Sequence, residues 1–134
     1  MIREENLKTE EMPVIILSLH QKWWKKMVAG EKALELRKTR PRCKTPFRAL
    51  VYITGGIGIA GEFICPEVFE IKDFKEVEEK SKVPAHDIHS YASSGKHKVY
   101  GWEVSAVKEY EKPLALEALG ITRAPQSWQY VKLF

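Results

Sequence analysis

Glu35 and Arg37 stand two residues apart in the run Gly30-Glu31-Lys32-Ala33-Leu34-Glu35-Leu36-Arg37. If that run is extended, both side chains leave the same face about 7 Å apart at the backbone, close enough to converge on one ligand. Lys32 stands at its start and can turn toward the same opening. A guanidinium forks onto a phosphate or a base edge, an ammonium acts as a mobile point charge, and a carboxylate accepts from an exocyclic amine or orients the arginine. Such a trio suits a nucleotide. The same spacing equally describes an ion pair on a wet sheet face, worth about 0–1 kcal/mol, and spacing leaves both readings open.

Charge around the run is lopsided. Between Lys22 and Arg48 there are ten basic residues and two acidic ones, in a chain of 134 residues whose net charge is only +4. Gathered on one face, that stretch would be an electrostatic footprint for phosphate; scattered, it is ordinary solvated surface. Other features carry less. Gly55-Gly56-Ile57-Gly58 lacks the lysine-serine or lysine-threonine pair of a phosphate loop, so a turn between strands is expected. His86, His89 and His97 match no metal-ligand spacing, and neither metal nor cofactor is expected. Cys43 lies between Arg42 and Lys44, which could lower its pKa, but no partner residue identifies it as a nucleophile. The two cysteines have no CxxC spacing, which points to a reduced, cytoplasmic protein. Met1-Ile-Arg-Glu-Glu-Asn is not an apolar leader, and the run from Ala49 to Gly61 is shorter than the roughly 18 residues of a membrane helix.

The elements that must position the trio follow from apolar patterning. Residues 1–12 alternate charges without periodicity and read as a flexible tail, leaving 13–134 as one domain. Val14-Ile15-Ile16-Leu17 is a continuous apolar run of the kind found in a buried strand. Ser18-Leu19-His20-Gln21 reads as a capping box opening a helix with Trp23, Trp24, Met27 and Val28 on its apolar stripe. Gly30 stands where a left-handed cap is needed, since a Cβ is penalised there. Strands are expected over Phe47–Thr54, from about Ile59 to Ile71 and over Val99–Tyr110, the last placing Trp102 beside Tyr100 and ended by Pro113. Short helices are expected in 73–80, 84–94 and 114–119, and a strand or turn in 127–134. With no regular β-α alternation, the pattern predicts an α+β domain whose sheet curls into a small β-barrel with flanking short helices.

Ser18-Leu19-His20, the tryptophan-bearing helix and the Gly30–Arg37 run together resemble the signature of the ASCH domain, a branch of the PUA-like superfamily, whose pattern is G-x-K-x-x-E-x-R on a strand. Gly61-Glu62-Phe63, Tyr100-Gly101-Trp102-Glu103-Val104 and 124–130 (Ala-Pro-Gln-Ser-Trp-Gln-Tyr) resemble later segments of small bacterial and phage-borne members. The resemblance implies a PUA-like barrel with a cleft that binds RNA or a nucleobase. Carried over by position, Ser18, Lys32, Glu35 and Arg37 would line the cleft. Lys38, Arg40 and Arg42 would extend it along a phosphate backbone, and Trp102, Trp128 and Tyr130 would be the rings to stack a base, about 1–3 kcal/mol per base. Aromatic residues on strands are also ordinary core.

Some members of this family hydrolyse an acylated cytidine with a lysine and, three residues on, a threonine nucleophile. Lys32 matches the lysine; Glu35 occupies the threonine's place, which removes the hydroxyl but leaves a lysine–glutamate pair capable of acid–base work. The expected function is therefore RNA or nucleotide binding. A hydrolase acting on RNA or a modified nucleoside through Lys32 and Glu35 is the alternative, and a protein-interaction module using the acidic stretch 73–80 is a third. Neither the physiological ligand nor the oligomeric state is legible.

Overall fold

A computed structural model of the chain describes residues 12–132. The expected tail, Met12 apart, lies outside the described residues.

The apolar run after Pro13 forms β1 (Val14–Leu19), buried almost throughout. It has no polar alternation because both faces are covered. Ile15, Leu17 and Leu19 join the main core, while Val14 and Ile16 pack with Leu50 and Ile59 on the opposite face. β1 continues through Ser18 and Leu19, which pair in parallel with Tyr52 and Ile53. Ser18 is therefore not the helix cap that the sequence suggested, because its backbone belongs to the sheet ladder. His20 caps α1 (Gln21–Val28) instead, its Nδ1 accepting from the amide of Lys22 at 3.1 Å. α1 buries Trp24 and Met27 and leaves Val28 exposed. Gly30 adopts φ +80°, a left-handed conformation in which it carries no Cβ penalty, and the chain turns into β2 (Leu34–Arg37).

β3 (Phe47–Ile53) and β4 (Gly58–Cys65) form a hairpin around the Gly55–Gly58 turn. The strand expected from Ile59 to Ile71 is two strands. Pro66, which lacks an amide donor, marks the crossing from β4 to β5 (Val68–Glu70) in another sheet. A 3-10 turn (Phe74–Val77), α2 (Glu78–Ser81) and α3 (Ala85–Tyr91) follow. The stretch expected as one strand from Val99 also divides, at Val104, into β6 (Tyr100–Glu103) and β7 (Ser105–Leu114). The alternation shifts there: Trp102, Val104 and Val107 all pack on the main core, while Ala106 is exposed at φ +49°. Pro113 does not end β7, which is an edge strand where a missing donor is tolerated. A second 3-10 turn (Leu116–Leu119) and β8 (Trp128–Tyr130) complete the described chain.

The eight strands make a five-stranded sheet, ordered β7-β4-β3-β1-β8, and a three-stranded sheet, ordered β2-β6-β5. The architecture is α+β, as expected, but among the described residues hydrogen bonding does not close the sheets into a barrel. The main core lies between the sheets, where Trp102 and Val68 of the smaller meet Phe47, Val51 and Phe63 of the larger, with Trp24 and Met27 from α1. Leu34, Leu36 and Val99 carry the smaller sheet's other face onto Val77, Ile88 and Ala92. Gly61 sets the seating of α1: a Cβ there would lie 2.5 Å from the Trp24 ring and 2.3 Å from the carbonyl oxygen of Lys108.

Candidate functional site

Along β2, the edge strand of the smaller sheet, runs a cleft of about 650 Å³, within the size range of small-molecule pockets. Its walls come from the end of β1, the start of α1, α3, and a segment preceding β8 that contributes Gln126 and Ser127. Among the described residues, no other carboxylate than that of Glu35 lines it.

Lys32, Glu35 and Arg37 do converge, as their spacing suggested, but they are buried rather than wet: 3%, 5% and 8% exposed. Burial at this level demands satisfied charge. Glu35 Oε2 accepts from Arg37 Nε at 2.9 Å and lies 2.8 Å from Nη2 in the same ion pair. Arg37 Nη2 also donates to the Ser18 carbonyl at 2.9 Å, and Nη1 donates to the carbonyl and the hydroxyl of Ser127, both at 3.1 Å. Four hydrogen bonds thereby hold the guanidinium within the protein. Arg37 thus ties β2 to β1 and to the C-terminal segment. Glu35 Oε1 faces Lys32 Nζ at 3.5 Å, and that ammonium donates to the Ser81 carbonyl at 2.6 Å while lying 4.7 Å from the centre of the Trp23 ring. Burial lowers the Lys32 pKa, and the neighbouring Glu35 carboxylate offsets only part of that. The cleft therefore presents a carboxylate oxygen and a lysine nitrogen with bonding capacity to spare.

The other expected residues divide between two places. Ser18 lines the cleft, its hydroxyl donating to the Pro125 carbonyl at 2.6 Å. Lys38 lies at the mouth, 4.7 Å from the Tyr91 ring centre. Arg40, Arg42, Trp128 and Tyr130 lie outside the cleft, around a neighbouring groove that also includes Lys38. Trp102 belongs to neither. It is 0% exposed, packed edge-on against Phe47 and Trp128, so it is core and has no face for a base. Arg48 leaves the basic stretch altogether, forking onto Glu62 at 3.0 and 3.1 Å on the larger sheet. Tyr110 donates to the same carboxylate at 2.5 Å. Burial raises the Cys43 pKa despite the nearby Arg40, against the lowering its neighbours suggested. Among the described residues no group of three His, Cys, Asp or Glu is placed to hold a metal, and no helix is long and apolar enough to cross a membrane.

Sequence reasoning missed Trp23, Tyr91, Thr39, Gln126 and Ser127, all of which line the cleft. Trp23 and Trp24 point about 100° apart on α1, so Trp24 is buried while Trp23, only partly buried against the same core, also reaches the cleft. Thr39 follows Arg37 by two residues, Gln126 and Ser127 lie in the 124–130 segment, and Tyr91 arrives from a distant helix with no local mark.

The ASCH domain family model matches residues 17–115. The crystal structure of ASCH from Zymomonas mobilis is similar to this fold with a TM-score of 0.74 at 18% identity, over 89% of this chain and 87% of that one. A serine-to-alanine and a tyrosine-to-phenylalanine mutant of the Zymomonas mobilis protein each match with a TM-score of 0.71, also 18% identical, over 89% of this chain and 88% and 90% of theirs. At that identity the likeness speaks for the fold alone. No curated protein matches the chain.

Proposed function

The chain belongs to the ASCH domain family, and from that premise we propose that the cleft beside β2 binds RNA or a nucleotide. The two packed sheets are read as the halves of a PUA-like barrel, with the cleft at their seam. The observation that carries the reading is the Glu35–Lys32 pair, a carboxylate oxygen and an ammonium 3.5 Å apart, both buried in the wall of the cleft. A nucleobase edge offers the complement, an exocyclic amine to donate to Glu35 beside a ring nitrogen or carbonyl to accept from Lys32. Trp23 and Tyr91 supply aromatic walls, and Lys38 a cation at the mouth. Arg37 contributes by position, aiming Glu35 rather than touching the ligand.

One observation favours a second use of the same cleft. Lys32, with its pKa lowered and a carboxylate beside it, is suited to take up a proton, which a hydrolase acting on RNA or a modified nucleoside requires. The test is to incubate the protein with a panel of RNAs and modified nucleosides, recording retention and product together, beside Lys32→Ala and Glu35→Gln. Binding predicts retention that falls about tenfold or more in both variants without product; hydrolysis predicts product that Lys32→Ala abolishes. If both variants match the parent in retention and turnover, the site is misplaced.

A further inference from the structure

We propose that the cleft and the groove beside it are consecutive subsites for one single strand of nucleic acid. The ligand class is then an oligonucleotide of two or more nucleotides rather than a free nucleoside. The inference rests on reading the inner cleft as a nucleotide site.

The outer groove has a volume of about 720 Å³ and is lined by Lys38, Arg40, Arg42, Tyr100, Trp128 and Tyr130, with Thr39 and Pro41 between them. Among the described residues it contains no carboxylate, and none of its three cations forms a salt bridge. A concave surface with three cations and no counter-charge favours an anion. Its rings fit the same ligand. Tyr130 is 50% exposed, and it is held in place at both ends. Its hydroxyl accepts from the Arg42 amide at 2.8 Å and its ring meets Trp128 edge-on at 5.2 Å. A fixed, exposed ring among cations is the usual platform for an unpaired base beside its phosphate.

Lys38 and Thr39 line both cavities, forming the saddle between them. Thr39 is pinned there by the indole Nε1 of Trp128, which donates to its hydroxyl at 2.9 Å. A base in the inner cleft puts its sugar and phosphate at the mouth, beside Lys38; the next nucleotide then enters the outer groove, with its base against Tyr130. A duplex cannot follow this path, because the inner cleft admits a base edge that pairing would occupy. An acidic peptide would satisfy the cations but has no use for the ring.

The experiment measures affinity by titration for the four nucleoside monophosphates, for di- and tetranucleotides of mixed sequence, and for a polyglutamate peptide, using the parent, Tyr130→Ala, Tyr130→Phe and Arg42→Ala. The inference expects the tetranucleotide to bind about tenfold or more tighter than the best monophosphate, the size of one base–aromatic stack. That ratio should collapse in Tyr130→Ala, fall in Arg42→Ala and survive in Tyr130→Phe, which keeps the ring. Equal affinity for monophosphates and oligonucleotides, or a ratio untouched by Tyr130→Ala, overturns the two-subsite inference and leaves the inner site standing. Polyglutamate binding as tightly as the tetranucleotide overturns it too. If no nucleotide of any length binds, the functional reading itself fails.

Discussion

Lys32 is a buried cation whose neighbours do not fully compensate it, and that has a consequence for stability. Its pKa in the folded protein lies below the ordinary value of 10.5, so between those two values the unfolded chain holds the proton and the folded one has released it. Stability contributed by this residue therefore rises with pH across that window, because the cost of burying an ammonium is relieved. Urea unfolding of the parent and of Lys32→Met, from about pH 7 toward 10.5, should show the difference shifting in favour of the parent as pH rises. A pH-independent difference would place the ammonium in a solvated setting. The neighbouring pair was legible in part: a period of two put Glu35 and Arg37 on one face. Their burial was not, since the groups that satisfy Arg37 are Ser18 and Ser127, brought together only by the pairing of β1 with β8.

Elements were readable within one layer and unreadable where the chain changes layers. β2 and the Gly55–Gly58 turn stand where the sequence placed them, and α1 does so from Gln21 onward. The splits at Pro66 and Val104 went unread although the apolar pattern steps by three at each: Cys65 and Val68 share the main core, as do Val104 and Val107. Ser18 misled for a different reason: the residue types of a capping box do not reveal that the serine backbone is already paired with β3. Gly61 lies in a motif whose physical reason emerges only in the packing, where α1 and β7 both press on the bare backbone. Gly61→Ala should cost about 1–3 kcal/mol, the range for overpacking a filled core, read as a lowered urea midpoint with unchanged slope. An unchanged midpoint would mean that α1 can lift from the sheet freely.

At the scale of the whole molecule, the α+β class and the uneven charge were visible in composition and order, whereas the site's assembly was not. Of the ten cations counted along one stretch, three line the outer groove, two are buried at the cleft and Arg48 belongs to a separate cluster. The segment 125–130 walls both cavities: it gives Gln126 and Ser127 to one and Trp128 and Tyr130 to the other. It lies beyond residue 115, where the family match ends, so the shared signature supplies one side of the site and the last segment the other.

That segment is held by a strand of three residues at a sheet edge, an arrangement that opens far more readily than the central ladder. Its attachment is marked by two amides, Ser18 donating to Ser127 at 3.0 Å and Val131 donating to Val14 at 2.9 Å. In deuterated solvent these two should exchange faster than the amides shared by β3 and β4. A strand of nucleic acid spanning both cavities would slow them, and exchange left unchanged at saturation would mean the ligand never bears on that wall. Two backbone protons that touch no base would thereby serve as a clock for occupancy.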